Sequence, residues 1–365
     1  MRAAVLERGG EALRIFDDVE IAAPGVGQVR VRVSHCGVCH SDLSIADGVF
    51  PAPLPIVLGH EAAGVVDAIG PGVVGLAPGD PVVLTPAPPC GRCYWCVRGE
   101  AALCVDTAGI MTNAFADGTT GLARGGATIY RGLNVGAFAE FVVTSANGAV
   151  KIARDVPLDV ACVIGCAVQT GVGAVLNTAR VPEGATVLVM GLGGIGLATV
   201  QGARLAGAAR IFASDPLLAR RRLAESFGAT DLLDPNADDV AVRVREATTV
   251  GADYAFETAG RASLVSVGLA ATRSGGTVVC VGAPPLGEKI EITPAALFTA
   301  TEKKLVGCVL GSSNSLLEIP RLVALWRAGR LDLEALITAR RPLAEVDLAF
   351  ADLRAGRGVR TVLSI

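Results

Sequence analysis

The sequence has little charge of either sign: 18% of its 365 residues are Asp, Glu, Lys or Arg, whereas 51% are hydrophobic. An intrinsically disordered chain has the opposite balance, so that class is excluded. The formal net charge is −3, whereas proteins that bind nucleic acid or an anionic membrane surface usually have a basic patch. We therefore expect a folded chain of two domains with neither nucleic acid nor membrane as a partner.

Long, uninterrupted apolar runs are also lacking. The two uncharged stretches of 20 residues, Val160–Ala179 and Gly184–Ala203, are interrupted by Gly, Thr, Gln or Asn. A bilayer-spanning helix needs about 20 predominantly apolar residues, so we interpret both stretches as buried elements of a soluble core. The N-terminal segment Met1–Arg8 lacks the apolar region of a signal peptide, and we expect a cytoplasmic protein.

Cysteine, in contrast, is clustered. The spacing Cys90-x2-Cys93-x2-Cys96-x7-Cys104 places four thiols within fifteen residues. An intracellular protein is expected to hold few disulfides, so the cluster indicates metal binding. Four thiolates can surround one ion tetrahedrally, as structural zinc prefers. An iron–sulfur cluster also takes four cysteines and is the competing interpretation.

Histidine is scarce, with three in the chain, and one of them, His60, lies in a Gly-His-Glu motif. The pair Cys36-x2-Cys39 follows an alternating strand predicted over Gln28–Val33, and a Gly-Cys motif ends at Cys166. Two cysteines and one histidine suit a catalytic zinc, which usually has three protein ligands and one open position. Spacing alone does not choose between Cys36 and Cys39, and it also permits a thioredoxin-like dithiol.

A glycine motif in the second half of the chain indicates a dinucleotide site. The apolar, β-branched run Ala185–Met190 predicts a buried parallel strand. It leads into Gly191-Leu-Gly193-Gly-Ile-Gly196, which is followed by a predicted helix. Gly191 permits the tight turn, Gly193 lets the backbone approach a pyrophosphate, and Gly196 lets the helix pack on the strand.

The acidic residue expected after such a motif is Asp215, at the end of a predicted strand over Arg210–Ser214. A carboxylate here would accept hydrogen bonds from the adenosine ribose and repel a 2′-phosphate, which favours NAD over NADP. Three arginines, Arg220–Arg222, follow closely and could instead accept that phosphate.

The alternation of strands and helices after Asp215 predicts a doubly wound parallel sheet. The first 150 residues differ, with short alternating strands and many Gly/Pro turns, and predict a β-rich domain. The remaining predicted elements are helices over Leu197–Ala206, Leu217–Phe227, Asp238–Ala247, Ala262–Thr272, Ile319–Arg327 and Glu345–Arg354, and strands over Asp231–Leu233, Asp253–Glu257 and Thr277–Val281.

Together these motifs resemble the zinc-dependent medium-chain alcohol dehydrogenases, along essentially the whole chain. The segment Val105–Leu133 is similar to that of the group containing the animal alcohol dehydrogenases and the thiol-dependent formaldehyde dehydrogenases. The matching motifs, in chain order, are Cys-His-Ser-Asp at 39–42, Gly-His-Glu at 59–61, the cysteines at 90–104, Gly-Cys at 165–166, the glycine motif at 191–196 and Val-Arg-Thr-Val-Leu at 359–363.

The resemblance implies an α/β fold of two domains. A GroES-like β-rich catalytic domain is expected over 1–167 and 310–365, with a structural zinc lobe at about 90–104, and a doubly wound Rossmann domain that binds NAD over 168–309. A homodimer is also implied, with a tetramer as the alternative. The apolar strand expected over Leu305–Leu310 would offer an edge for pairing with its two-fold mate.

The implied activity is zinc-dependent hydride transfer between NAD and a primary alcohol or aldehyde, aliphatic or aromatic. The expected pocket lining, which includes Pro86, Leu133 and Leu310, suits such substrates. A thiol-adduct (S-hydroxymethyl) formaldehyde dehydrogenase of the same family would need cationic anchors, for which Arg124 and Arg131 are candidates. Outside this activity, a catalytically silent NAD-binding structural or regulatory relative and a dithiol redox protein are the alternatives.

The resemblance also selects the metal ligands. In the family the ligand cysteine is followed by x-[Ser/Thr]-Asp, which matches Cys39 and not Cys36. His60 and Cys166 are expected to complete the catalytic zinc. The second of the two zinc ions expected per chain is structural, and its implied ligands are Cys90, Cys93, Cys96 and Cys104.

Three further residues are expected to act at the catalytic zinc. Ser41 is placed to accept the alcohol proton, and Asp42 to accept a hydrogen bond from the free nitrogen of His60. Glu61 is expected to assist ligand exchange or, alternatively, to balance nearby arginines as a buried charge. Many relatives carry a histidine five residues after the ligand cysteine, where this chain has Ser44, which cannot act as a base near neutral pH.

The remaining implied contacts are with the coenzyme. His40 and Arg360 match family positions that contact pyrophosphate, and Thr170 and Ile195 match those that flank the nicotinamide. The full set of residues expected to bind the coenzyme is His40, Thr170, Gly191, Gly193, Gly194, Ile195, Gly196, Asp215, Arg220, Val281 and Arg360.

Overall fold

The computed structural model describes residues 1–292 and 294–365. Two compact units are present. The first comprises 1–167 and 313–365, and the second comprises 168–312. One unit is rich in antiparallel β-structure and the other is a parallel sheet with helices, so the predicted α/β fold class is confirmed.

The strands of the chain are short, and most belong to the first unit. In chain order they are β1 Ala3–Leu6, β2 Arg14–Phe16, β3 Glu20–Ile21, β4 Gln28–Gly37, β5 Ile56–Val57, β6 Glu61–Ile69, β7 Pro81–Leu84, β8 Leu122–Arg124, β9 Ala127–Arg131, β10 Phe141–Ser145, β11 Ala149–Lys151, β12 Thr186–Met190, β13 Arg210–Ser214, β14 Asp231–Leu233, β15 Ala252–Glu257, β16 Thr272–Cys280, β17 Lys304–Gly307, β18 Ile337–Pro342 and β19 Arg360–Ser364.

Two sheets build the first unit. One has the order β2-β1-β5-β9-β8-β3, and the other has the order β11-β7-β6-β4-β19-β18, with β10 also pairing with β4. The long strand β4 shows the expected alternation, because Val29, Val31 and Val33 are buried between more exposed arginines. It extends four residues beyond the predicted Gln28–Val33 because β6 and β19 pair with its second half, which is a long-range effect.

The second unit contains a parallel sheet with the order β14-β13-β12-β15-β16-β17. Strand β12 lies in the middle and pairs in parallel with β13 on one side and β15 on the other. The order of the strands therefore reverses next to β12. In such sheets, ligands bind beyond the carboxyl end of the strands at this switch point, which is where the glycine motif begins.

Helices and single helical turns connect these strands. They are α1 His40–Ala46, α2 Tyr94–Val97, α3 Gly109–Thr112, α4 Leu158–Ala161, α5 Ala167–Gly173, α6 Gly194–Leu205, α7 Leu218–Ser226, α8 Val240–Thr248, α9 Ala262–Ala271, α10 Ala295–Ala300, α11 Ser315–Arg327 and α12 Val346–Arg354. A π-helical segment, Ala174–Ala179, follows α5 directly.

The apolar strand expected over Leu305–Leu310 is shorter than predicted. Strand β17 ends at Gly307, and a tight turn over Leu310–Ser312 follows, in which all three residues have positive φ angles. A strand cannot continue through left-handed backbone, so β17 cannot extend to Leu310 as predicted. Strand β17 still forms one edge of the sheet, with β16 as its neighbour.

Among the described residues, no single helix is long and apolar enough to cross a membrane. The adjoining helical segments Leu158–Gly165 and Ala167–Ala179 pass that test only when combined across a 52° bend. Side chains from 160 to 175 are buried, as expected for Val160–Ala179, and those from 176 to 179 are half-buried.

Candidate metal centres and nucleotide-binding loop

Four buried side chains of the first unit converge on one point. The Sγ atoms of Cys39 and Cys166, a ring nitrogen of His60 and a carboxylate oxygen of Glu61 all lie within 4.8 Å of one another. Cys39 precedes α1, His60 precedes β6, and Cys166 precedes α5, so three separate chain segments contribute. Cys36 lies outside this group, and its Sγ contacts its neighbour's carbonyl oxygen instead.

The two thiols of this group, Cys39 and Cys166, form a closely interacting buried pair. A hydrogen bond from Cys166 and a further one from His60 hold the pKa of Cys39 well below its usual range, although burial opposes them. Hydrogen bonding to Cys39 and burial raise the pKa of Cys166. Burial raises the pKa of Cys36, whereas a reactive dithiol needs a lowered one. The convergence of Cys39 with His60 and Cys166, in a group that does not include Cys36, favours a metal-ligating thiolate at Cys39 over a Cys36–Cys39 redox pair.

Asp42 connects two of the ligand segments. Its side chain is fully buried, and its Oδ1 accepts a hydrogen bond from the backbone N–H of Gly59 at 2.8 Å and lies 3.1 Å from His60 Nδ1. Its Oδ2 accepts the backbone N–H of Cys39 at 3.2 Å. Burial alone would lower the pKa of His60, but the Asp42 carboxylate and Cys39 raise it well above its usual value. Asp42 thereby orients the imidazole and leaves Nε2 available to a metal.

Glu61 is buried next to an arginine. Neither of its carboxylate oxygens has a hydrogen-bond partner among the described residues, and Oε1 lies 3.4 Å from Arg360 Nη2. Burial raises the pKa of Glu61 to about 8. A Cβ on Gly37 would lie 2.5 Å from Glu61 Oε2, so a larger residue there would displace the Glu61 carboxyl group. Arg360 is itself buried and donates to the carbonyl of Val38 at 2.7 Å, which holds its guanidinium beside the Glu61 carboxyl group.

The residues around α1 occupy different environments. Ser41 is half-buried, with its Oγ 3.9 Å from Cys39 Sγ. His40, the first residue of the helix, is exposed. Ser44 is half-buried, and its carbonyl accepts the N–H groups of Val49 and Phe50, which closes the turn after the helix.

The four cysteines of the lobe also converge. Their Sγ atoms lie within 4.8 Å of one another. Backbone N–H groups of Cys90 and Asp106 donate to Cys104 Sγ at 3.2 and 3.4 Å, a pattern that stabilises thiolates. Backbone hydrogen bonds from Cys96 and Val105 lower the pKa of Cys93 to about 6. The arrangement suits one tetrahedral ion.

The arginines considered as anchors for a thiol adduct are both engaged elsewhere. Arg124 pairs with Asp18 at 2.7 Å and lies over an aromatic ring. Arg131 is fully buried, with its guanidinium 3.7 Å from the centroid of the Phe115 ring, and it donates to the carbonyl of Asn134. Both guanidinium groups thus already have partners within the protein, which does not favour either as an anchor for an anionic substrate.

Among the residues expected to line the pocket, Pro86 and Leu133 are buried in the first unit. Asn134 ties their segments together, because its Nδ2 donates to the carbonyls of Pro86 at 3.0 Å and Asp106 at 3.2 Å. Sequence reasoning missed Asn134, and no local pattern marks it. Leu310 is buried as well, within the second unit.

The glycine motif of the second unit has the geometry of a dinucleotide loop. Gly191 has a φ of +90°, and a Cβ there would lie 2.8 Å from the Cβ of Ala259. A Cβ on Gly196 would lie 1.8 Å from the carbonyl of Gly191. Among the described residues, apart from its immediate neighbours in the chain, no atom lies within 4 Å of a Cβ built on Gly193, so space is open where a pyrophosphate would approach. Helix α6 begins at Gly194, three residues earlier than predicted.

Asp215 is buried at the end of β13. Its Oδ2 accepts the backbone N–H of Leu192, inside the glycine motif, at 2.8 Å, and its Oδ1 accepts that of Leu217 at 2.8 Å. Arg220 Nη1 lies 3.9 Å from Oδ2. Asp215 is therefore hydrogen-bonded to the backbone of the glycine motif, as expected for the acidic residue of a dinucleotide-binding site.

Three other expected coenzyme contacts also lie in the second unit. Thr170 is buried, and its Oγ1 has no hydrogen-bond partner among the described residues. Ile195 is half-buried in the first turn of α6. Val281 is buried directly after β16 and donates its N–H to the carbonyl of Glu257 at 2.8 Å.

Comparisons with known proteins match both units. Residues 25–154 match the family model described as alcohol dehydrogenase GroES-like domain, and residues 194–325 match that described as zinc-binding dehydrogenase. An alcohol dehydrogenase zinc-binding domain protein from Burkholderia ambifaria is 37% identical, with a TM-score of 0.94 over 100% of this chain and 98% of that one. This chain belongs to the zinc-type medium-chain alcohol dehydrogenase family.

Two further members of the family are similar along their whole length. Benzyl alcohol dehydrogenase from Acinetobacter calcoaceticus is 31% identical, with a TM-score of 0.94 over 100% of this chain and 99% of that one. A zinc-binding dehydrogenase from Sinorhizobium meliloti, bound to NADP, is 30% identical, with a TM-score of 0.81 over 100% and 99%. As a member of this family, the chain is an oxidoreductase with a GroES-like and a Rossmann-like domain.

Proposed function

We propose that this chain is an NAD-dependent zinc alcohol dehydrogenase that interconverts a primary alcohol and its aldehyde. The observation that supports this most directly is the convergence of Cys39, His60 and Cys166, with Asp42 behind the imidazole. A catalytically silent relative would have no need to keep all three ligands. A dithiol redox protein would have no need of the nucleotide loop.

The donors in both clusters fit zinc. Thiolate and imidazole are its preferred ligands, and three protein ligands leave a position for substrate. Cys39, His60 and Cys166 would hold the catalytic ion, with Glu61 as a neighbour available during ligand exchange. Cys90, Cys93, Cys96 and Cys104 would hold the structural one. When bound, the catalytic ion supplies Lewis acidity that lowers the pKa of the alcohol hydroxyl.

The residues of the chain handle the proton. Ser41 Oγ, near ligand Cys39, is placed to accept the proton of the alcohol hydroxyl and pass it on. The side chain at the next expected position, Ser44, has no basic group. We therefore propose that the proton leaves through water, and that exchange of Ser44 for histidine increases the rate of alcohol oxidation near neutral pH.

NAD, rather than NADP, is the coenzyme that Asp215 favours, because its carboxylate would face a 2′-phosphate with like charge. NAD supplies the hydride acceptor, and the loop Gly191–Gly196 would hold its pyrophosphate. The similarity to an NADP-bound dehydrogenase keeps NADP as the alternative. His40 and Arg360 of the first unit are expected to contact the pyrophosphate, and Thr170, Ile195 and Val281 the nicotinamide half.

The substrate that we propose is an uncharged primary alcohol, aliphatic or aromatic. Pro86 and Leu133 give an apolar lining, and a similar protein is a benzyl alcohol dehydrogenase. The length of Val105–Leu133 supports the group of animal alcohol and thiol-dependent formaldehyde dehydrogenases. A thiol adduct is the alternative substrate, but the engagement of Arg124 and Arg131 favours the simple alcohol.

A cytoplasmic homodimer is the assembly that we propose. Within residues 1–292 and 294–365, no strand pairs with the outer edge of β17, and exposed apolar side chains occur nearby in sequence, among them Leu297, 59% exposed, and Val309, 40% exposed. An exposed edge strand can pair with its two-fold mate. A solution mass of one or four chains would contradict the dimer.

The test is a panel of alcohols and aldehydes with NAD and with NADP, followed at the absorbance band of the reduced nicotinamide. Zinc per chain is measured on the same preparation. We expect two zinc ions and turnover of primary alcohols with NAD. One ion without turnover would indicate a silent relative, no zinc would support the dithiol protein, and activity confined to thiol adducts would indicate the alternative substrate.

A further inference from the structure

Three consecutive arginines follow the residue that is expected to select the coenzyme, and the structure gives each a different environment. Arg220 lies 3.9 Å from the Asp215 carboxylate, and Arg222 is exposed on α7. Arg221 is 9% exposed and turns toward the neighbouring strand. The three arginines therefore differ in exposure and in charge partners, which decide whether a guanidinium can bind a coenzyme phosphate.

Arg221 connects two strands of the parallel sheet at their carboxyl ends. Its Nη1 donates to the backbone carbonyl of Asp215, after β13, at 2.6 Å. Its Nη2 lies 2.9 Å from Oδ2 of Asp234, after β14. Asp234 is fixed in turn, because its Oδ1 accepts the N–H of Asn236 and its own N–H donates to Asp238, each at 3.0 Å.

These contacts continue into the glycine motif. The main chain of Asp215 is held by Arg221, and its carboxylate is held by the N–H groups of Leu192 and Leu217. A rigid backbone at Asp215 limits where its carboxylate can lie, and a charge-assisted hydrogen bond to a carbonyl is stronger than a neutral one. The Arg221–Asp234 pair thus fixes the backbone of the residue whose carboxylate is expected to contact the adenosine ribose.

We propose that Arg221 is a positioning residue for coenzyme specificity, and that it does not bind phosphate itself. It acts through the backbone of Asp215, with Asp234 as its anchor. The proposal rests on the proposed use of NAD. It assigns different effects to neighbouring arginines, since loss of Arg221 should weaken NAD binding, whereas loss of the exposed Arg222 should leave it unchanged.

The test measures binding of ADP-ribose and of 2′-phospho-ADP-ribose to the metal-loaded, full-length protein by calorimetry, so that no turnover is required. For Arg221→Met we expect the Kd of ADP-ribose to rise about tenfold, the loss typical of one charge-assisted hydrogen bond. The preference of this variant for ADP-ribose over 2′-phospho-ADP-ribose should be smaller than that of the wild type. Arg222→Met is the matched control, with the same chemical change on the same helix, and should leave both Kd values within about twofold.

A second variant separates positioning from simple loss of stability. Arg221→Met alone leaves Asp234 without its cation, whereas the double variant Arg221→Met/Asp234→Asn removes both charges and should recover much of the Tm. If Arg221 positions Asp215, the Kd of ADP-ribose stays raised in the double variant. If that Kd returns to the wild-type value together with the Tm, the role is only structural and the proposal is overturned.

Two results of the same experiment distinguish this proposal from that of NAD use. A wild-type protein that binds the 2′-phosphorylated ligand more tightly would contradict NAD as the coenzyme. A wild-type preference for ADP-ribose that Arg221→Met leaves unchanged would contradict the positioning role alone.

Discussion

Replacing Asp42 with asparagine tests the connection between the two metal-ligand segments. The exchange keeps the shape but removes the charge and one acceptor. If the amide oxygen keeps the contacts with Gly59 and His60, the new amide nitrogen faces the N–H of Cys39, and two donors meet. At least one buried hydrogen bond is therefore lost, and the imidazole of His60 becomes less basic.

The expected magnitude follows from these contacts. Leaving a buried donor without a partner costs about 1–3 kcal/mol of the free energy of unfolding. Loss of the carboxylate behind a metal-ligating histidine typically lowers metal affinity or activity about 10- to 100-fold. Asp42→Asn should thus release its catalytic zinc faster while the zinc at the lobe, whose ligands it does not touch, leaves at the wild-type rate.

The assay follows zinc transfer to a chromogenic chelator, together with kcat/KM and denaturant unfolding of the metal-loaded protein. Asp47→Asn is the matched control, because Asp47 directly follows the same helix but pairs with Arg354 at the surface. Surface pairs of this kind contribute about 0–1 kcal/mol. If Asp42→Asn releases both zinc ions at the wild-type rates and has the wild-type free energy of unfolding, the proposed link between the ligand segments is refuted.

Three further predictions concern other parts of the first unit. Cys166→Ser should lose one zinc and all turnover while largely preserving the fold; retained alcohol oxidation would contradict the ligand assignment. Cys93→Ala should lose the other zinc with a lowered Tm, because the lobe has no core of its own; an unchanged Tm would count against this. A hydrogen bond from Lys151 lowers the pKa of Asp80 in the folded protein. The ionised Asp80 side chain therefore stabilises the folded state fully above the pKa of an unfolded aspartate, about 3.9, and this stabilisation is lost as the pH falls from there through the lowered pKa. Asp80→Asn should therefore show a smaller fall in Tm than the wild type as pH decreases through that range; parallel curves would refute it.

The spacing of residues in the sequence predicted those sites whose residues all lie within one short segment of chain. The roles of Gly191 and Gly196 could be predicted because the positive φ of Gly191 and the close approach of Gly196 to the Gly191 carbonyl both arise within the motif itself. The convergence of Cys90, Cys93, Cys96 and Cys104 is local in the same sense, since one loop brings them together. Helix and strand types in the second unit were predictable from hydrophobic periodicity, although their ends shifted by a few residues.

Contacts between distant segments could not be read from spacing. The choice between Cys36 and Cys39 stayed open until family resemblance suggested one of them, and the structure shows which thiol meets His60 and Cys166. The early end of β17 likewise depends on backbone angles that no periodicity reveals.

The sequence by itself therefore determined the glycine loop and the four cysteines of the lobe, because each is encoded within a short stretch of chain, and the pattern of strands and helices indicated a β-rich first part and a doubly wound second part. Only the tertiary structure decided which neighbours each side chain has. It holds Asp42 against His60 and Glu61 beside Arg360, and it turns Arg221 from a candidate phosphate ligand into a link between Asp215 and Asp234. The physical reason is that hydrogen bonds and charge pairs act over a few ångströms in space, whatever the number of residues between the partners.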